Sequence, residues 1–575
     1  MRLTGLAAAP GLAIGPVWRY RAANAPSAVP PAANNATTTR AVLGEAAAEA
    51  AAELEALAAG LRARGATEEA GILDAQALMA LDPALIDGAI ELAATGVTPL
   101  DALHVTARRL ASVLAALDDP VLAARSVDVL DVADRIARSI LGIRVDPPRR
   151  PSIAVADDLP PSVAAELPVG SLLGIALEGG TPTAHAAILA RALGIPAVVG
   201  VAGLLAALDA AALSEVALDG ERGELVIAPD AVERTGFTER LAAIGVRRAR
   251  DASRRTEPVA TADGHRIRLV ANIGSPRDSA RAIAAGAEGV GLLRTEFLFM
   301  ERSRPPTEDE QTAAYGDIFE AFGAGRPVVV RLADIGGDKS IPYLELAAEA
   351  NPFLGVRAIR LAYRSPDLLV TQIRAISRAA ARAGVVPHVM APMVATIADV
   401  ELFRTLVATA QGGLAADGVA SAERLICGMM VEVPSAVVFA REFARRMEFF
   451  SIGTNDLTQY LLAADRTNAA LAHLQDPLHP VVLRSIASVV AGAAEARIPV
   501  AVCGEMAGDP AGALVLVGLG VDELSLEPNA MDRIRAAIGT TTNAELRAVA
   551  VSALAAEDAT AVRAAVRPLL ERSAG

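Results

Sequence analysis

The chain has 575 residues and a formal net charge of −14; 53% of its residues are apolar and 3% are aromatic. This acidic balance argues against nucleic acid as a main partner. The two cysteines, Cys427 and Cys503, are too few for a disulfide framework and favour a reducing cytoplasm. No apolar run is long enough for a membrane span or a secretory signal, so we expect a cytoplasmic protein of roughly three to four domains.

The first part of the chain predicts a small α/β domain interrupted by helices. Short strands are expected within residues 1–20. Helical spacing of apolar residues over 37–143, broken by turn signals, predicts a bundle of about four helices. Strand-type runs return after this bundle. The predicted bounds are 1–33 and 146–230 for the α/β domain and 34–145 for an inserted all-helical subdomain.

A glycine-rich loop then leads into a histidine and an apolar helix. The loop covers residues 179–184, His185 follows it, and Gly194 and Pro196 end the Ala/Leu-rich helix. An imidazole at a helix start lies beside unpaired N–H groups, where an anion or a phosphoryl group carried on the ring is stabilised. A histidine that only packs or caps the helix is the alternative interpretation.

The second part of the chain alternates strand-like and helical segments. A charged helical stretch over 231–258 is interpreted as a linker, and residues 259–575 carry eight apolar runs followed by helical patterns. Eight such units are typical of a (β/α)8 TIM-type barrel, with an open doubly wound sheet as the competing arrangement. The eight runs are 267–273, 289–293, 328–332, 386–393, 425–433, 449–452, 499–503 and 523–526.

Polar side chains follow these runs at their carboxyl ends, where barrel enzymes hold their chemistry. Arginines there could clamp an anionic substrate, and the carboxylates of Glu432 and Asp456 could hold Mg²⁺. Taken singly, each residue has another explanation: arginines form structural ion pairs, and a lone cysteine is usually a small buried hydrophobe. The candidate residues are Arg294, Arg331, Lys339, Glu432, Asn455, Asp456, Arg466 and Cys503.

The chain resembles Enzyme I of the bacterial sugar phosphotransferase system, a member of the phosphoenolpyruvate (PEP)-utilising enzymes. The resemblance runs nearly end to end and implies a swivelling phosphohistidine α/β domain with a helical insert, followed by the barrel. It rests on long strings of residues around 5–11, His185, 291–300, 334–343, 351–357, Glu432, 455–456 and Cys503.

The resemblance implies a role for each matching residue. PEP would bind in the barrel, Mg²⁺ would be held by Glu432 and Asp456, His185 would attack phosphorus, and Cys503 would protonate the departing enolate. The helical insert would dock the histidine-containing phosphocarrier protein HPr, the linker would be a hinge, and the barrel would form a homodimer. The residues implied to hold PEP are Arg294, Arg331, Asn455, Asp456 and Arg466, with Lys339 and Arg357 near the phosphate.

Some features depart from the Enzyme I pattern. The loop before His185 is one residue longer than usual, and Ala184 replaces a common serine, as in multi-domain fructose-type fusion proteins. The downstream pathway and the cognate carrier therefore remain open. Two alternatives are kept: a PEP synthase or pyruvate phosphate dikinase-like enzyme, which needs a larger nucleotide-binding region before the histidine, and a non-catalytic phospho-regulator of the same fold.

Overall fold

The computed structural model divides the chain into two units, Met1–Val246 and Arg247–Gly575. The boundary falls within the stretch that the sequence marks as a linker. Among the described residues, no helix combines the length and the apolar character needed to cross a bilayer. The structure describes the whole chain except residues 21–35, 64–66, 117–124, 169, 182–184, 211–214, 301, 338–340, 345, 348, 467 and 575.

The first unit contains one eight-stranded sheet in the order β1-β8-β7-β3-β4-β5-β6-β2. Strands β3 to β6 run parallel in its centre, and antiparallel pairs lie on both sides. The central strand β4 is buried on both faces, as its apolar run predicts. The bounds are β1 Arg2–Thr4, β2 Leu6–Ala9, β3 Leu12–Arg19, β4 Ser152–Ala156, β5 Leu172–Leu177, β6 Ala197–Val199, β7 Glu215–Asp219 and β8 Glu224–Ile227.

Helices of the insert lie between β3 and β4. The described part of this region holds five helices, one more than the sequence suggested. Asp82 and Thr98 cap two of them, each followed directly by a proline in the first turn, because their side chains accept N–H groups that the helix leaves unpaired. The bounds are α1 Ala36–Ala63, α2 Thr67–Ala80, α3 Pro83–Ala93, α4 Pro99–Ala115 and α5 Ser126–Leu141.

Four further helices complete the first unit and the stretch after it. The helix that starts at His185 ends at Leu193, and Gly194 adopts φ +67°, the left-handed conformation that favours glycine after a helix. The charged stretch predicted as helical forms one continuous helix. The bounds are α6 Pro161–Glu166, α7 His185–Leu193, α8 Leu204–Ala210 and α9 Ala231–Ser253.

Eight parallel strands of the second unit close into a barrel, and this confirms the predicted fold class. The competing open sheet is wrong, because β16 pairs with β9 and leaves no sheet edge. Each predicted run contains one strand. The bounds are β9 Arg268–Ile273, β10 Val290–Leu293, β11 Val328–Arg331, β12 His388–Ala391, β13 Ile426–Val431, β14 Phe449–Ile452, β15 Val500–Val502 and β16 Glu523–Leu526.

Large side chains fill the interior of the barrel. A Cβ on Gly428 would lie 2.4 Å from the ring of Phe449, so glycine on one strand makes room for the aromatic ring on the next. Helices surround the strands and cover their outer face. The bounds are α10 Asp278–Ala284, α11 Glu308–Phe322, α12 Pro366–Ala383, α13 Ile397–Ala416, α14 Pro434–Val438, α15 Ala440–Ala444, α16 Thr454–Leu461, α17 Pro480–Ala496, α18 Pro510–Leu519, α19 Met531–Gly539, α20 Asn543–Ala555 and α21 Ala559–Ala574.

Candidate active site at the carboxyl end of the barrel

Arg331 is the last residue of β11, and its guanidinium is buried. Its Nη2 donates to Glu296 Oε1 at 3.0 Å, and its Nη1 lies 3.5 Å from Asp334 Oδ2. Burial lowers the pKa of Arg331, yet the carboxylates of Glu296, Asp334 and Glu432 outweigh it and raise the pKa above its ordinary value. Arg331 is therefore a permanent cation. The ion pairs that the sequence offered as an alternative explanation do form here.

Arg357 supplies a second buried cation beside the first. Its Nε and Nη2 donate to the two oxygens of Asp334 at 2.9 and 2.7 Å, a bidentate pair that fixes the plane of the guanidinium. Its Nη1 donates to the hydroxyl of Tyr460 at 3.5 Å, and its Nη2 lies 3.9 Å from Asp456 Oδ2. Asp334 thus links Arg331 and Arg357 into one cluster.

Glu432 and Asp456 approach this cluster from two other strand ends. Glu432 follows β13, and its Oε1 accepts the backbone N–H of Met393 at 2.6 Å. Asp456 lies in the first turn of α16, and its Oδ1 is 3.3 Å from Arg466 Nη1. Burial, followed by the charges of Asp456 and Asp334, raises the pKa of Glu432 above its ordinary value. The negative charge of Asp456 therefore acts on the buried carboxylate of Glu432.

The donor set fits a hard divalent cation with few protein ligands. Glu432 Oε2 and Asp456 Oδ1 are buried, and neither accepts a hydrogen bond from the residues that the structure describes. A Cβ on Gly453 would lie 3.0 Å from Glu432 Oε2, so glycine keeps the space beside that oxygen open. Within the described residues there is no group of three or more His, Cys, Asp or Glu that could hold a metal. A hard divalent cation suits such a site, because it can take water and substrate oxygens as further ligands.

Cys503 follows β15, and its thiol is buried among the barrel's interior side chains. The sulfur lies 3.6 Å from the carbonyl oxygen of Ile452. Burial raises the pKa of Cys503 to about 11, and the charges of Arg331 and Arg294 only partly oppose this. The group is therefore a protonated thiol at neutral pH and can serve as a proton donor.

Two buried polar residues that sequence reasoning missed hold the backbone of Cys503. Asn272 on β9 donates its amide N–H to the carbonyl oxygen of Cys503 at 3.1 Å. Ser525 on β16 donates to Asn272 Oδ1 at 2.6 Å, which fixes the orientation of the amide. The available signal was a polar residue within each apolar strand, at positions that face the barrel interior.

The remaining candidates lie at the rim of the barrel. Arg466 lies over the ring of Phe353, with 5.5 Å between its Cζ and the ring centre. Asn455 and Glu505 exchange two hydrogen bonds of 3.0 Å, and sequence reasoning also missed Glu505. Asn455 and Arg466 both line a cavity of about 260 Å³. Arg294 is exposed, and its guanidinium has no ion-pair partner in the part of the chain that the structure describes.

Two candidates are not located by side chain. His185 begins α7 in the first unit, but its side chain and the preceding residues 182–184 lie outside the described part. Lys339 also lies outside the described residues. The structure thus gathers one set of predicted residues through direct contacts or mutual electrostatic effects. That set is Arg331, Arg357, Glu432, Asp456, Arg466 and Cys503.

Three family models match the chain in order. Residues 4–125 match the N-terminal region of PEP-utilising enzymes, 148–223 their mobile domain, and 248–542 their PEP-binding domain. The chain belongs to the PEP-utilising enzymes. The resemblance inferred from the sequence is thereby confirmed.

Similar proteins carry two names. A multiphosphoryl transfer protein of Xanthomonas campestris is 41% identical over 98% of this chain, and the match covers 66% of that protein. A phosphoenolpyruvate-protein phosphotransferase of Geobacillus stearothermophilus is 39% identical over 92% of this chain and 92% of its own length. The protein of the same name from Streptomyces coelicolor is 41% identical over 90% of this chain and 91% of its own length. The chain therefore spans about two thirds of the multiphosphoryl transfer protein and nearly all of the shorter relatives.

Proposed function

We propose that this enzyme moves the phosphoryl group of PEP first to its own His185 and then to a histidine of the carrier protein HPr. In the first step, Nε2 of His185 attacks phosphorus, a nitrogen–phosphorus bond forms, and the bond from phosphorus to the enolate oxygen breaks. The enolate keeps that electron pair and takes one proton at its methylene carbon, which gives pyruvate. In the second step the phosphoryl group passes to HPr, and His185 is regenerated.

The observation that carries this proposal is the convergence of cations at one end of the barrel. PEP bears a phosphate and a carboxylate, and arginine binds both groups with paired donors. We assign Arg294, Arg331 and Arg466, together with Asn455, to holding these two groups. Arg331 keeps a buried Nε without a partner among the described residues, so one donor remains available for substrate.

Two further cations are assigned to the phosphate side from their motif positions. Arg357 commits its Nε and Nη2 to Asp334, so it contributes mainly its charge. Lys339 is assigned a similar role from the sequence alone. Positive charge fixed before the reaction stabilises the charge that develops during phosphoryl transfer without a reorganisation cost.

Glu432 and Asp456 are assigned to Mg²⁺. When bound, the ion would neutralise charge on the phosphoryl and enolate oxygens. The chain's own residues prepare that place: the N–H of Met393 orients Glu432, and Arg466 lies beside Asp456. Glu432 Oε2 and Asp456 Oδ1, which accept no hydrogen bond from the described residues, are the atoms that we expect to contact the ion.

Cys503 is assigned as the donor of the proton that converts the enolate into pyruvate. A thiol with a pKa of about 11 stays protonated at neutral pH, and it gives its proton to the more basic enolate carbon. The hydrogen bond from Asn272 to the carbonyl oxygen of Cys503 fixes the backbone that carries the thiol.

The proposal also assigns roles to the helical insert, to the stretch that follows the first unit's strands and to the barrel as a whole. The helical insert docks HPr, the stretch 231–258 acts as a hinge that lets His185 serve both partners, and the barrel forms a homodimer. We place the enzyme in the cytoplasm, where its two free cysteines would stay reduced.

A reconstituted reaction tests this function. The full chain is mixed with PEP, Mg²⁺ and HPr, and pyruvate and phosphorylated HPr are measured together. We expect equal amounts of the two products and no requirement for a nucleotide. A requirement for AMP together with phosphate or pyrophosphate would favour the PEP synthase or dikinase-like alternative, and absence of turnover by folded protein would favour the regulator.

A further inference from the structure

A charged recess lies in the first unit, where the helical insert meets the α/β domain. Its cavity is about 140 Å³ and is bounded by α1, α5, α6 and the connector that follows α5. A cavity needs roughly 15 Å³ on this measure to hold one water, so a small polyatomic ion has room here. The charged residues lining it are Glu49, Glu53, Arg135, Arg138, Arg144 and Glu166.

Arg135 is engaged through both terminal nitrogens within this recess, while its Nε has no partner among the described residues. Its Nη1 donates to Glu53 at 2.7 Å, and its Nη2 donates to Glu166 at 2.8 Å and to the carbonyl oxygen of Ser162 at 3.3 Å. One arginine of α5 therefore bridges two glutamates of the lining, one on α1 and one on α6.

Arg138 lies one helical turn further along α5 and has no such partners. The residue is only 8% exposed, and its Nη1 is buried without a hydrogen bond from any described residue. The nearby acid Asp131 has both oxygens engaged elsewhere, by Ser162 at 2.9 Å and by Gln76 at 3.1 Å. A buried guanidinium donor without a partner carries a desolvation cost, which an anionic occupant would offset.

The lining carries three arginines and three glutamates, but these charges are unevenly arranged. Arg144 is exposed, and no described residue forms an ion pair with it. Glu49 is the one carboxylate not paired with Arg135, and it accepts a hydrogen bond from Ser139. Two guanidinium groups, of Arg138 and Arg144, thus face a single available carboxylate.

We propose that this recess binds a small oxyanion of the phosphate type between Arg138 and Arg144. The planar guanidinium of Arg138 presents donors that match phosphate or carboxylate oxygens. A bound anion would connect α5 of the insert with the connector that leads to β4. This site is separate from the proposed phosphoryl transfer in the barrel and does not depend on it.

The single tryptophan of the chain provides a local probe. Trp18 lies on β3, and its indole N–H donates to the carbonyl oxygen of Asp146, next to the recess lining at Arg144 and Val145. Inorganic phosphate is titrated into the full chain at constant ionic strength while tryptophan fluorescence and Tm are recorded. We expect a saturable change, stronger with the phosphate dianion than with acetate.

Arg138→Met keeps most of the side-chain stem and removes the charge. We expect phosphate binding about tenfold weaker or lost, and a higher Tm than wild type in phosphate-free buffer, because the unpaired charge is gone. Arg149→Met removes an equal charge from the same connector outside the recess and is expected to behave like wild type.

Two controls separate this site from the barrel. Arg331→Ala is expected to leave the Trp18 response unchanged, since Arg331 belongs to the second unit and does not line the recess. The proposal is contradicted if phosphate changes neither the fluorescence nor Tm, if Arg138→Met responds like wild type, if acetate acts as strongly as phosphate, or if Arg138→Met lowers Tm without phosphate.

Discussion

At the scale of single residues, the proposed active site depends on charges held in a buried place. Asp334 joins Arg331 and Arg357, while Glu432 stands opposite Asp456 with an open oxygen. Electrostatic interactions are stronger in such surroundings than in water. Asp334 thus stabilises the charged guanidinium groups of Arg331 and Arg357. Together with a bound divalent cation, these arginines can hold a highly charged substrate.

The role of Cys503 is open to a direct test. Cys503→Ala removes the proposed proton donor, so the rate of pyruvate formation is expected to fall about 100-fold, the lower range for general acid catalysis. Exchange of the phosphoryl group between His185 and HPr needs no such proton and is expected to persist. Pyruvate release and phosphoryl exchange are assayed separately, with Cys427→Ala as the matched control; equal rates of pyruvate release in Cys503→Ala and wild type would remove Cys503 from the reaction.

The raised pKa of Glu432 leads us to predict that Mg²⁺ stabilises the protein to a degree that depends on pH. A carboxyl whose pKa is raised on folding binds its proton more tightly in the native state, so the free energy of unfolding falls as pH rises from the unfolded value of 4.5 through the raised native value. Mg²⁺ competes with that proton, so the gain in Tm on adding Mg²⁺ is expected to grow across the same interval.

Calorimetry with and without Mg²⁺, from acid to neutral pH, measures this gain. In Glu432→Gln the pH-dependent part of the gain is expected to disappear, because the side chain no longer titrates. A gain in Glu432→Gln that matches wild type at every pH would show that Mg²⁺ acts elsewhere.

At the scale of elements, hydrogen bonds between neighbouring strands of the barrel hold the backbone that carries the proposed catalytic thiol. Asn272 on β9 bridges Ser525 on β16 and the end of β15 at Cys503. Gly291 on β10 leaves room for this bridge, since a Cβ there would lie 2.5 Å from Ser525 Oγ. Two buried hydrogen bonds therefore join the ends of three neighbouring strands next to Cys503.

Asn272→Leu tests this bridge. The substitution leaves the carbonyl oxygen of Cys503 and the hydroxyl of Ser525 buried without partners, so the free energy of unfolding is expected to fall by about 1–3 kcal/mol. Ser525→Ala removes only the group that orients the amide and is expected to cost less. Denaturant unfolding of both variants gives the comparison, and a cost for Asn272→Leu no larger than that for Ser525→Ala would contradict the bridge.

The sequence predicted the elements of the barrel more completely than its contacts. The eight strands were found because parallel strands buried on both faces give short apolar runs between helical patterns. The site candidates followed from polar residues at strand ends. The partners Asn272, Ser525 and Glu505 were missed, because each contacts a residue far away in the sequence, and no local pattern marks such a pairing.

At the scale of the whole molecule, the proposed reaction needs residues from both units. His185 belongs to the first unit, and the arginine cluster belongs to the second. A fragment of residues 1–253, which keeps α9 complete, is expected to accept label from phosphorylated HPr but not from PEP. Gel assays with each donor measure this. Labelling of the fragment by PEP would contradict the assignment of the substrate to the barrel.

Phosphorylation of His185 by PEP is the central claim, and it is tested most directly by incubating the full chain with Mg²⁺ and radiolabelled PEP. Phosphohistidine gives label that is lost in acid and retained in base. We expect such label on wild type and none on His185→Ala. Equal label on both proteins, or none on folded wild type in the presence of Mg²⁺, would contradict the account.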